Sequence, residues 1–91
     1  MSYSFTATAS TKQEAKDLIA SNFENVVASQ GVHAADRSAA VACGQAFVDV
    51  LTAEPGDNEE IHVSMYGSLG WRGTYLYVAS VNVNVAIRTK G

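Results

Sequence analysis

From Ile61 to Ile87 most of the apolar side chains fall on odd numbers, and this alternation constrains the fold more than any other feature of the chain. Ile61, Val63, Met65, Leu69 and Trp71 form one run, with Gly67 holding a place in the series, and His62, Ser64, Tyr66, Ser68 and Arg72 stand between them. After Gly73-Thr74-Tyr75-Leu76 the pattern resumes with Tyr77, Ala79, Val81, Val83, Val85 and Ile87, separated by Ser80, Asn82, Asn84 and Arg88. Successive side chains of a strand point to opposite faces, so a period of two over this length predicts strands with one buried face each. The connection is short, which predicts an antiparallel hairpin of strands at about 60–72 and about 77–89.

The rest of the chain supplies one more strand and two helices. Tyr3, Phe5, Ala7 and Ala9 alternate with Ser2, Ser4, Thr6 and Thr8, the period of a half-buried strand over 2–9. Thr11-Lys12-Gln13-Glu14 then matches a capping box, and Ala15, Leu18, Ile19, Phe23, Val26 and Val27 recur at helical spacing up to Gly31. This predicts a helix over about 12–30. A second helix is expected over about 34–53, with Ala39, Ala42, Cys43, Ala46, Phe47, Val50 and Leu51 as its buried stripe and Gly44 as a close-packing point, ended by Pro55-Gly56. The order strand–helix–helix–strand–strand predicts an α+β fold in two layers, a three-stranded sheet with both helices on one face. The pattern leaves open whether the first strand pairs with the second or the third.

Composition narrows the function classes. The 91 residues suit one domain, and 14 Ala and 11 Val against four Leu and three Ile imply a core of small side chains. Six Lys and Arg are scattered against nine Asp and Glu, for a net charge of −3. Nucleic-acid binding draws on a basic stripe that is missing here, so that class is disfavoured. No apolar run approaches the ~18 residues of a membrane-spanning helix. A single cysteine, Cys43, makes no internal disulfide. With no apolar leader at Met1-Ser2-Tyr3-Ser4-Phe5, a cytoplasmic location is the expectation.

Three stretches carry a resemblance: Tyr3-Ser4-Phe5 leading into Thr11-Lys12-Gln13-Glu14-Ala15-Lys16, then Val32-His33-Ala34-Ala35-Asp36-Arg37, then Gly67-Ser68-Leu69-Gly70-Trp71. With them the chain resembles, over nearly its whole length, a group of small proteins encoded in tailed-phage and prophage genomes. The resemblance implies a phage accessory role in the host cytoplasm, or a place in the virion. It carries over no catalytic residue.

Residue by residue, chemistry is sparse. His33, Asp36 and Arg37 lie within one helical turn, but a helix start uses His33 as a cap and Asp36 as complement to the dipole. Cys43 sits on the expected apolar stripe, so it is read as buried and inert. Glu54, Asp57, Asn58, Glu59 and Glu60 do not match a calcium-loop spacing and read as a solvated loop. No cofactor or metal is expected, and the chain is read as a non-enzymatic protein.

Two surfaces stand out as sites for a protein partner. The even face of the sheet, with His62, Ser64, Tyr66, Asn82 and Asn84, is almost free of charge and left bare by the helices. The hairpin tip gathers Trp71, Arg72, Tyr75, Leu76 and Tyr77, residue types enriched in interface hot spots. Trp71 and Tyr77 have odd parity and are also placed to cap the end of the core. Protein–protein contact through tip and face is the leading expectation. Assembly into a homodimer, homo-oligomer or virion component is the alternative, and a small hydrolase or metal enzyme is remote.

Overall fold

The computed structural model describes residues 1–27 and 30–90. β1 (Ser2–Ala9) leads into α1 (Lys12–Val27) and α2 (Ala34–Asp49), followed by β2 (Glu59–Arg72), β3 (Tyr75–Val78) and β4 (Asn82–Thr89). β2 is the spine. At ~3.3 Å per residue its 14 residues run about the full 48 Å of the molecule's long axis. It pairs antiparallel with β1 through Ser2↔Ser68 to Ala9↔Ile61, and on its other side with β4 through Tyr66↔Asn82 to Glu59↔Thr89. The question left open by the sequence pattern resolves to β1 beside β2. The fold is α+β with two helices on an antiparallel sheet, as expected. Its strand count is four rather than three.

The fourth strand exists because the last arm of the hairpin is broken. β3 pairs as Leu69↔Val78 to Arg72↔Tyr75, a register one residue out of step with that of β4. The extra residue is absorbed at 79–81. The N–H groups of Ala79 and Ser80 both donate to the Ser68 carbonyl, at 2.9 and 3.2 Å, the pattern of a β-bulge. The Ser68 N–H donates in turn to Ser80 Oγ at 2.9 Å. Before the bulge the even residues Leu76 and Val78 face the helices; after it the odd residues Val81, Val83, Val85 and Ile87 do. This corrects the continuous odd series expected over 77–89. At the hairpin turn Gly73 takes φ +64 and Thr74 a negative φ, the signs of a two-residue II′ connection.

A tyrosine locks the bulge from the other edge. Tyr3, opposite Gly67, reaches across β2 and donates its hydroxyl to the Ser80 carbonyl at 2.8 Å. Gly67 leaves the space for this crossing, because a Cβ there would run into the Ser80 carbonyl and lie 2.7 Å from Tyr3 Oη. The Tyr3 ring also meets the Phe23 ring edge-on, with centroids 5.2 Å apart.

Helix packing follows from caps and volume. Thr11 Oγ1 accepts the Glu14 N–H at 3.0 Å, and Glu54 Oε1 accepts that of Lys12 at 2.6 Å, so two free donors at the α1 start are satisfied. Ala15, Ile19, Phe23 and Val27, four residues apart, form its buried stripe. Residues 28 and 29 of the expected helix lie outside the described residues. α2 ends at Asp49 rather than near Ala53, and its buried stripe is Ala40, Gly44 and Val48. The expected stripe through Ala39, Ala42, Cys43, Ala46, Phe47 and Val50 is instead exposed. Close approach at Gly44 sets this roll: a Cβ there would lie 2.8 Å from Met65 Sδ and 3.0 Å from Ile19 Cγ2.

The Tyr3 strap has a measurable pH dependence. Burial, with the nearby Cys43 thiolate adding to it, pushes the Tyr3 phenol from its ordinary value of 10.0 up to about 12. The unfolded chain gives up this proton near 10 while the folded chain still holds it. The contribution is therefore complete below pH 10 and is lost as pH rises through about 12. Urea unfolding across that interval should show a steeper loss of stability for the wild type than for Tyr3→Phe.

Candidate functional site

The open face of the sheet is built from the even residues of three strands in register. Ser4, Tyr66 and Asn82 form one cross-strand row; Thr6, Ser64 and Asn84 form the next; Thr8, His62 and Ala86 the third. The helices cover the opposite face, so these side chains are exposed or half-buried, with Tyr66 at 52% the most open aromatic on the face. Asn82 Nδ2 donates to the Tyr66 carbonyl at 3.3 Å, and the Ser68 and Ser80 hydroxyls share a hydrogen bond at 3.0 Å beside the bulge. No charged residue occurs in the three rows; Glu60 and Arg88 pair across the strands only at the far end. The arrangement offers hydroxyls and amides with the Tyr66 and His62 rings, a surface suited to adaptable hydrogen bonding.

The tip separates into two faces. Trp71, opposite Leu76 on the helix side, is 65% exposed because the helices do not reach so far; this corrects its expected place over the core end. Leu76, grouped by sequence with the exposed tip, is instead buried at 1%. Val32 bridges to it in parallel, and the His33 N–H donates to its carbonyl at 3.3 Å. On the outer side Tyr77 does not cap the core either. Its ring lies over Gly70, where a Cβ would come within 2.8 Å, and the Arg72 guanidinium stacks on it at 4.8 Å from the centroid. Tyr75 is 40% exposed, with its ring 5.5 Å from that of His33. Trp71 is thus exposed on one face of the tip, and Arg72 and Tyr75 on the other, where Tyr77 supports Arg72.

The charged cluster at the start of α2 is structural. His33 Nδ1 accepts the Ala35 N–H at 3.4 Å as N-cap. Asp36 Oδ2 accepts the Val78 N–H at 3.1 Å, satisfying the outer edge of β3 from the helix above it. Arg37 Nε approaches Glu24 at 3.5 Å. In the acidic loop, Glu54 is spent on α1 and Glu59 Oε1 accepts the Gly56 N–H at 2.8 Å. Among the described residues no three His, Cys, Asp or Glu side chains stand close enough to share a metal ion.

Cys43 is exposed, which corrects its reading as a core thiol. It borders a shallow cleft of about 180 Å³ between α2 and the β3–β4 arm, lined also by Asp36, Ala39, Ala40, Val78 and Val81. No His lines this cleft. The apolar flank of α2 around it, with Phe47 45% and Val50 73% exposed, is the surface that sequence reasoning assigned to the interior. The available signal was a helix apolar on two sides at once, Ala40-Gly44-Val48 beside Ala39-Cys43-Ala46-Phe47. Comparison of the chain with protein-family models, curated proteins and solved structures finds no match.

Asp36→Ala should leave the Val78 N–H without its partner at a half-buried edge, lowering stability by about 1–3 kcal/mol in urea unfolding. Asp36→Asn keeps an acceptor oxygen and should retain most of it, and Trp71→Ala should stay within ~0.5 kcal/mol of the wild type.

Proposed function

We propose that the chain is a non-enzymatic binding protein that recognises a protein partner through the hairpin tip and the adjoining open sheet face. The observation that carries this reading is a hairpin tip exposed on both faces, with Trp71 on the helix side and Arg72 and Tyr75 on the side that continues the uncharged rows of the sheet. Trp, Tyr and Arg dominate binding energy in interfaces because they bring large contact area and directional polar groups at low entropic cost. The hairpin itself is pre-organised: the II′ signs at Gly73-Thr74, the stacked Arg72–Tyr77 pair and the Val32–Leu76 bridge hold it without help from a ligand. Pre-ordering of this kind reduces the cost of docking.

The polar groups that would serve a catalytic reading are committed to backbone. His33 caps its helix, Asp36 holds the Val78 N–H, and the cleft that Cys43 borders is lined by no His. A nucleophile, a base and an oxyanion donor do not converge. In this reading the chain is a phage accessory factor and the partner a host protein.

The test is capture of a discrete partner by the immobilised chain, followed by measurement of its affinity for variants. Trp71→Ala and Tyr75→Ala should each weaken that complex by ~10-fold or more, with unchanged circular dichroism. Tip variants that stay folded and hold the partner as tightly as the wild type would contradict the assignment.

A further inference from the structure

The outer edge of the β3–β4 arm is finished along one half and bare along the other. Beside β3 the Val32 bridge, the His33 N–H on the Leu76 carbonyl and the Asp36 carboxylate on the Val78 N–H occupy the edge. Beside β4 nothing does among the described residues, since β2 is its one strand neighbour. Nor does Asn82-Val83-Asn84-Val85-Ala86-Ile87 hold a proline, a lysine or a charge turned inward, the devices that shield an edge from pairing.

The helix next to this edge is unfinished in the same direction. α2 runs alongside β4: Asp36 bonds Val78, Cys43 borders Val81, and Gly44 sits on Met65, the partner of Val83. Its stripe of Ala39, Ala42, Cys43, Ala46, Phe47 and Val50 is exposed, Ala39 and Cys43 share the cleft with Val81, and Val83 and Val85 on the strand that α2 contacts are only half-buried. Strand and helix match in length, at about 27 Å and about 24 Å from their residue counts. The other bare edge, β1, differs: the helix over it shows solvent Glu14, Asp17 and Glu24.

We infer that β4 and the exposed stripe of α2 form the interface with a second copy of this chain, the two β4 strands pairing antiparallel about a two-fold axis. A two-fold contact sets a patch against itself, so any charge in it faces its like. The stripe and β4 up to Ile87 carry none. Antiparallel pairing of β4 with its own copy sets odd residues against odd, so Val83, Val85 and Ile87 continue the apolar layer while Asn82 and Asn84 continue the open face. The small side chains at Ala39, Ala42, Cys43 and Ala46 allow the two helices to approach. This surface is separate from the tip, so the inference stands or falls independently of the proposed partner.

Sedimentation equilibrium over a wide concentration range tests it, together with amide exchange on the wild type. The mass should rise from 9.6 kDa toward twice that value. Phe47→Glu, at a site already exposed in one copy, should weaken the association at least ~30-fold, and Trp71→Ala should leave it unchanged. Concentration-dependent protection should appear on β4 amides and not on those of β1, a readout that stands even if the charged variant folds poorly. A monomer at every concentration, a dimer indifferent to Phe47→Glu in folded protein, a dimer lost with Trp71→Ala, or protection gained on β1 would each overturn the inference.

Discussion

The structure depends on one carbonyl that accepts two donors. The Ser68 oxygen takes the N–H groups of both Ala79 and Ser80, and the residue thus looped out shifts the rest of the arm by one. A one-residue shift turns every side chain of a strand to its other face. Without the bulge, either Leu76 and Val78 or the valines at 81, 83 and 85 would be turned out of the core. With it, both sets pack beneath the helices. Gly67 and Tyr3 keep the bulge where it is, one by leaving room and the other by holding the Ser80 carbonyl from the far edge of the sheet.

Much of this was legible in the residues, and what was not has a definite cause. Strands with a single register, at 2–9 and along β2, were readable because their apolar and polar residues alternate without a break. The bulge was hidden because Tyr77 and Ala79 continue the odd series that Val81 begins again, although Val78 and Leu76 on even positions already belonged to the core. The roll of α2 was hidden for a different reason. A helix of alanines has no strong preference for which side to bury, so its orientation is decided by the tightest contact, and that is Gly44 against Met65 and Ile19. That the even residues of the strands are left uncovered by the helices was legible from their parity; the exposure of Cys43, Phe47 and Val50 was not.

The same close contact explains why the covering of the sheet is uneven. With Gly44 close against Met65 and Ile19, α2 seals the centre of the core, where Ile19, Phe23, Ile61 and Met65 are fully buried. On the β4 flank the valines stay half-buried, and the outer stripe of α2 has nothing to pack on among the described residues. The chain therefore spends its small core on one rigid interior and leaves three kinds of surface: an amide and hydroxyl face, an aromatic tip, and an apolar flank with a free strand edge.

α2 turns its second apolar side outward on the β4 flank. Cys43, the one thiol of the chain, reports on it directly. The rate at which a thiol reagent labels native Cys43 should be fast in dilute protein and should fall as concentration rises and the flank is covered by a second copy. Slow labelling at every dilution, with unfolding required for reaction, would mean that the helix buries this side after all.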